Sequence, residues 1–424
     1  MSASSAPDLP AAADEPAYAW VAVWACFTAL AVIFGVSYSF ASFFEPLSQA
    51  FGARRADVSL VFGISGLVYF TLGAGAGMLA DRFGPQRVCS AGMLFIAGGL
   101  WASSLARSMT AVYWAYGGGV GVGIALVYTP AIACVQPWFT RRRGLAAGIA
   151  SAGIGAGTVA VPLLATALIA ALHWRPALQV LAAGVMLLGL ASTGLLRRAP
   201  SATARAGAAV AGHSLRQALR SPQFAWLYLM AVAAAPAMFI PFAHASAAAR
   251  DLGVPDARAV GLVGLIGIGS LVGRFAIGAL ADRVGRPLTL TLAQASMGVA
   301  YLLWWRADGY LALALFAIWL GLSYGGIVSL MPALCMDLFG ARAVSSIIGT
   351  LYTGAAFGNL LGPWLAGAVF DTQRNYQAVI WACFGLSALA ALAAWRVARL
   401  GPPASPSPPA PPSPPPLAGL AAGR

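Results

Sequence analysis

A chain of 424 residues that is 60% hydrophobic and only 9% charged, with a mean hydropathy of +0.80, has the composition of a polytopic membrane protein, not of a water-soluble domain. In a soluble protein the formal charge of +13 would suggest nucleic acid; here the arginines sit in short loops between apolar runs, so topology accounts for them and no nucleic-acid partner is expected. The five cysteines, Cys26, Cys89, Cys134, Cys335 and Cys383, fall inside apolar segments without CxxC or Cys/His spacing, so no disulfide framework, metal site or cofactor is expected.

Residues 1–17 are polar, carry Asp8, Asp14 and Glu15, and lack a basic region, which reads as a retained tail, not a cleaved signal. Apolar runs bounded by charges, Gly/Pro turns or polar clusters then predict twelve spans in the lipid bilayer. Those at 18–44, 58–80, 88–106, 111–136, 144–170 and 175–196 make a first bundle, residues 18–196. Those at 223–246, 259–281, 287–305, 309–336, 344–370 and 376–396 make a second, residues 223–396. Between them residues 197–222 form the longest internal loop, basic and rich in Ala, Ser and Gly, as in a linker. From Gly401 the run GPPASPSPPAPPSPPP is low in complexity, so residues 397–424 are expected to be an extended, disordered tail.

An even number of spans puts both termini on one side. The segments on that side carry sixteen of the 25 arginines and the opposite loops carry eight, so the termini are expected in the cytoplasm and the chain in the cell (inner) membrane. The remaining arginine is Arg274, inside the eighth span and eight residues before Asp282. At about 1.5 Å per residue it lies roughly 12 Å deep in a hydrocarbon core of about 30 Å. A charge at that depth is disfavoured by about 3 kcal/mol even on lenient scales, so it is expected to face a cavity and to meet an anion there.

The chain also repeats itself. Gly77-Met-Leu-Ala-Asp81-Arg82-Phe-Gly84 after the second span returns as Gly278-Ala-Leu-Ala-Asp282-Arg283-Val-Gly285 after the eighth, at an offset of 201, and Pro130 and Pro332 repeat at 202. Parallel repeats of this kind place a substrate site between the halves at mid-membrane. The motif supplies a small residue for helix approach, an acid and a base that can form a charge latch, and a glycine for a tight turn. Both copies resemble the signature loops of the major facilitator superfamily. The resemblance implies an all-α polytopic membrane protein of twelve transmembrane helices in two pseudo-symmetric six-helix bundles that rock about a central site.

Further motifs narrow the likeness. Gly117-Gly-Gly-Val-Gly121-Val-Gly123 running to Tyr128-Thr-Pro130, Trp138-Phe139-Thr-Arg141-Arg142-Arg143-Gly144, Tyr324-Gly325-Gly326, Pro332-Ala-Leu-Cys-Met-Asp337 and Gly362-Pro363 are similar to monocarboxylate transporters and their oxalate/formate antiporter relatives. That resemblance implies that Arg274 binds a substrate carboxylate, whose two oxygens match a guanidinium fork. Where animal members carry a lysine in the first span this chain has Tyr38, and where they carry an acid one turn before the arginine it has Ser270. The related oxalate exchanger uses a second cation in the eleventh span, which here offers Tyr352, Thr353 and Asn359. One deep cation suits one carboxylate.

The expected function is therefore secondary active transport of a small monocarboxylate anion with H+, by alternating access, in a monomer. Tyr128, Tyr324, Tyr38 and Asn359 are the candidates for further hydrogen bonds to the substrate. His244 is the proton-carrying candidate, because imidazole titrates in the useful range and His173 and His213 fall at loop positions where solvation is expected. Two alternatives stay open: an organic anion exchanger of the oxalate/formate type, and a non-transporting receptor or scaffold. No embedded Ser/His set, acid pair or metal-ligand set points to an enzyme.

Overall fold

Each predicted apolar run is a helix in the computed structural model, which describes residues 16–139, 143–198, 212–340 and 342–403. The first half holds α1 (Ala17–Phe51), α2 (Arg55–Phe83), α3 (Pro85–Ser104), α4 (Met109–Val135), α5 (Arg143–Leu172) and α6 (Trp174–Gly194). The second holds α7 (Pro222–Asp251), α8 (Asp256–Val284), α9 (Arg286–Trp305), α10 (Tyr310–Phe339), α11 (Val344–Gln373) and α12 (Gln377–Leu400). Most of residues 1–17, residues 199–211 of the linker, Arg141, Arg142 and residues 404–424 of the tail lie outside the described residues.

Several helices outrun the apolar segments that announced them. α1 continues seven residues beyond 44, through Pro46 to Phe51, and α2 and α8 each have 29 residues. At about 1.5 Å per residue a 29-residue helix reaches about 44 Å, longer than a hydrocarbon core of about 30 Å. The backbone gains by closing its hydrogen bonds into the interface, where hydropathy has already faded. Large apolar side chains such as Trp24, Trp114, Leu187 and Leu311 are exposed on the outside, which is where lipid is the solvent.

Within the halves α1 packs on α5 and α2 on α4, then α8 on α10 and α9 on α12. Two seams join the halves, α2 with α11 and α5 with α8. The approach of α8 to α10 depends on glycine: a methyl group at Gly273 would strike the Leu322 carbonyl, and one at Gly325 the Ser270 carbonyl. Arg274 is thereby seated on a helix that cannot back away from α10.

The signature loops end α2 and α8 at Gly84 and Gly285, with φ of 92° and 94°, a backbone region that glycine alone enters freely. The turn role of these glycines is thus met, but the close-approach role of the motif's first glycine is not. A methyl at Gly77 would make only ordinary contact with Thr129, and one at Gly278 would meet nothing within 4 Å. The reason is conformational: this end of the molecule is open. Arg82, Asp282 and Arg283 are exposed and form no ion pair among the described residues, while the side chain of Asp81 lies outside them.

The start of α1, the end of α6, the start of α7 and the end of α12 meet on one face, hereafter the tail side, where Tyr18 donates to the Leu195 carbonyl and Gln223 to the Gly401 carbonyl. There a cleft of about 700 Å³ separates the bundles, lined by Thr71, Gly77, Thr129 and Pro130 on one flank and Gly349, Thr350 and Thr353 on the other. At the far side the α2/α11 seam is closed so tightly that a methyl group at Gly63 would meet the Leu360 carbonyl and one at Gly367 the backbone of Ala56.

Candidate functional site

A cavity lies between the bundles above the tail-side cleft, and Arg274 is the one charged residue in its lining. The guanidinium makes no hydrogen bond or ion pair with any described residue, and its Nη2 is buried without a partner. Buried charged donors are otherwise paired, so the group is set out for something that enters. Around it stand the phenols Tyr69, Tyr128, Tyr324 and Tyr352 and the amide of Gln294; apolar side chains such as Phe34, Phe70, Met238, Ile327 and Leu351 fill most of the wall. The volume open to the centre of a water-sized sphere is about 80 Å³. That is far below the roughly 300–1,000 Å³ of a pocket for a drug-sized ligand and suits a small organic acid.

Of the residues expected to bind substrate, Arg274, Tyr128 and Tyr324 line this cavity. Phe34 packs edge-on against Tyr128 with ring centroids 5.3 Å apart, fixing the phenol's plane. Tyr38 stands one layer back: its hydroxyl is 3.2 Å from that of Tyr324, and its ring stacks on Phe242 at 4.1 Å. It reaches the cavity through Tyr324. Asn359 is not in the cavity wall, because its side chain is turned into the α2/α11 seam, where Nδ2 lies 3.4 Å from the carbonyls of Phe62 and Gly63 and fills the space left by Gly66.

His244 is fully buried at the far-side end of α7, outside the cavity wall. Its Nε2 is 2.8 Å from the Pro363 carbonyl and 2.9 Å from Ser59 Oγ, and its Nδ1 is 3.0 Å from the Tyr376 hydroxyl. That hydroxyl accepts from Arg55 Nη1 at 2.8 Å, and Arg55 also donates to both carboxylate oxygens of Asp251, at 2.6 and 2.8 Å, across the bundles. The Arg55 guanidinium lies 3.7 Å over the ring of Phe370. Asp371 accepts from the backbone N–H groups of Arg55 and Ala56, a carboxylate at the positive end of α2. These contacts hold the far side shut. His213, expected to be solvated, is buried instead: its N–H donates to the Phe339 carbonyl, and Gly212 pairs with Gly340 beyond α10.

Sequence reading passed over Gln294 and Tyr69 in the cavity and the Arg55 network at the far side, and noted Tyr352 only as a residue of the eleventh span, not as a substrate contact. A single glutamine inside the apolar ninth span was a usable signal for the first. Tyrosines are too common in membrane spans to stand out, and Arg55 sits among loop arginines that topology already explained.

Two helical bundles around a buried cavity, with a cleft on one side and a network of contacts closing the other, have the architecture of a multi-pass membrane transporter. The chain matches the family described as Major Facilitator Superfamily over residues 25–349 and 237–422. It is 31% identical over 364 residues to monocarboxylate transporter 13 of Bos taurus, covering 85% of each chain. It is 30% identical over 377 residues to monocarboxylate transporter 3 of Rattus norvegicus, covering 86% of this chain and 76% of that one. Among solved structures, a bacterial homolog of the human lysosomal transporter Spinster, in an inward-facing and occupied conformation, shares the fold at a TM-score of 0.67 and 16% identity, over 91% of this chain and 97% of that one. The chain belongs to the major facilitator superfamily and, within it, to the monocarboxylate transporter family.

Proposed function

We propose that the protein carries a small monocarboxylate, of the size of lactate or pyruvate, together with a proton, as a monomer in the cell (inner) membrane with both termini in the cytoplasm. The observation that carries this reading is the unpartnered Arg274 guanidinium in an otherwise uncharged cavity with room for an acid of that size. The relatives named above are monocarboxylate transporters, which supports the substrate class. The excess of arginine on the tail side supports the orientation. Tyr128 and Tyr324 supply phenolic donors beside the carboxylate, Tyr38 holds Tyr324, and Asn359 acts at the seam.

His244 is the proton carrier in this reading. In the neutral ring Nε2 carries the hydrogen, donated towards the Pro363 carbonyl, and Nδ1 accepts from the Tyr376 hydroxyl. Protonation makes Nδ1 a donor as well, so the Tyr376 hydroxyl must turn its own hydrogen away, and it sets a second positive charge near Arg55. Both changes loosen the far-side contacts, which links proton uptake to opening there.

Uptake of labelled lactate and pyruvate into proteoliposomes, with and without an imposed pH gradient, tests the proposal. The parent is expected to accumulate acid along a proton gradient, and Arg274→Ala to lose about 100-fold or more, equivalent to about 2.7 kcal/mol of lost binding. Undiminished transport by Arg274→Ala refutes the clamp. Exchange indifferent to the pH gradient would identify an anion exchanger, and binding without flux a receptor or scaffold.

A further inference from the structure

Gln294 is fully buried on α9, and neither its amide oxygen nor its amide nitrogen has a hydrogen-bond partner among the described residues. A buried carboxamide stripped of both partners is rare in folded proteins, because the amide gives up its hydration and receives nothing in return. α9 belongs to neither seam; it packs on α10 and α12. Its Gln294 nonetheless lines the same cavity as Arg274, whose wall also holds Ala231 and Ala234 of α7 and Val328 and Met331 of α10. None of these side chains can donate a hydrogen bond and only the methionine sulfur can accept one, weakly, so what satisfies both ends of the amide must enter the cavity.

We propose that Gln294 is a second polar contact for the substrate, and that the site takes a hydroxy monocarboxylate, its carboxylate on Arg274 and its hydroxyl on the Gln294 amide. This rests on the reading of Arg274 as the carboxylate clamp. The choice of hydroxyl follows from what the amide lacks: one donor and one acceptor. A hydroxyl answers both, accepting from Nε2 and donating to Oε1; an oxo group only accepts, and an alkyl chain does neither. A second carboxylate is disfavoured because Gln294 is neutral and Arg274 is the one cation in the wall. An unsubstituted acid would displace water from the amide and leave it bare, which is how a buried polar group rejects a ligand lacking its counterpart.

Equilibrium binding of butyrate and of its 2-, 3- and 4-hydroxy derivatives to the purified full chain, to Gln294→Leu and to Arg274→Ala tests this. In the parent at least one hydroxybutyrate is expected to bind about 10-fold or more tighter than butyrate, equivalent to about 1.4 kcal/mol. In Gln294→Leu that ratio should fall to near one, with butyrate bound at least as tightly as by the parent because no bare amide is left, and that retained binding also shows that the variant is folded. Arg274→Ala should lose all four acids. A preference that survives in Gln294→Leu, or a parent that binds butyrate as well as every hydroxy acid, overturns the proposal and leaves the clamp intact. Loss of butyrate binding in both Gln294→Leu and the closer-fitting Gln294→Met overturns it in favour of a structural role. A parent that binds none of the acids overturns the monocarboxylate reading itself.

Discussion

Arg55→Ala should release the far side of the molecule. Its guanidinium faces Asp251 with two short hydrogen bonds, but the aspartate side chain is 37% exposed, so solvent screening holds that pair to about 1 kcal/mol. The hydrogen bond to the buried Tyr376 hydroxyl adds about 1.5 kcal/mol as a bond from a charged donor, and the cation over Phe370 about 0.5 kcal/mol. The bonds from the backbone N–H groups to Asp371 survive the substitution, so about 3 kcal/mol of closure is lost. All of it belongs to the closed state, and the ratio of far-side-open to far-side-closed molecules should rise about 100-fold. Nitroxide labels at Gln49→Cys on α1 and Gln373→Cys on α11, both exposed at that face, report the ratio by pulsed electron resonance, and the native cysteines are buried. Growth of a longer-distance population is the expected result. A ratio within about threefold of the parent's would refute the assignment of Arg55 as the tie between bundles.

Three further outcomes follow from the same geometry. His244→Gln should still exchange lactate across proteoliposomes but lose stimulation by a proton gradient; an unaltered pH dependence would remove His244 from the coupling. Gly325→Ala drives a methyl group into the Ser270 carbonyl and should destabilise by about 2 kcal/mol, whereas Gly385→Ala, with nothing within 4 Å, should be neutral or slightly stabilising, as thermal unfolding of the two variants will show. Tyr324→Phe removes the hydroxyl that Tyr38 holds and should weaken acid binding about fivefold to tenfold, equivalent to about 1–1.4 kcal/mol, in the binding assay used for Gln294.

The parts of the site that could be read from the chain are those whose physics is local. A guanidinium deep in an apolar segment is costly wherever that segment packs, so Arg274 declared itself before any fold was known. Tyr128 and Tyr324 came with their glycine-rich helices and do line the cavity. Tyr38 and Asn359 were polar candidates inside spans as well, yet one lies behind Tyr324 and the other is wedged against α2. Depth along a helix is readable from sequence; which way a side chain points around it depends on neighbours hundreds of residues away. Asn359 meets residues 296 and 297 positions earlier, and Arg55 meets Asp251 at a separation of 196.

By itself, then, the sequence determined twelve spans, the likeness of two halves and the one deep cation, because hydropathy and repeat offset survive without any knowledge of packing. Only the tertiary structure decided that the molecule is latched at the far side and open on the tail side, that Gly77 and Gly278 are not close contacts in this state, and that His244 serves the latch and not the cavity wall. It also brought Gln294 into the wall of the cavity that holds Arg274. Each of those depends on the relative placement of helices across the two seams, and that placement is a property of assembled surfaces that no single segment carries.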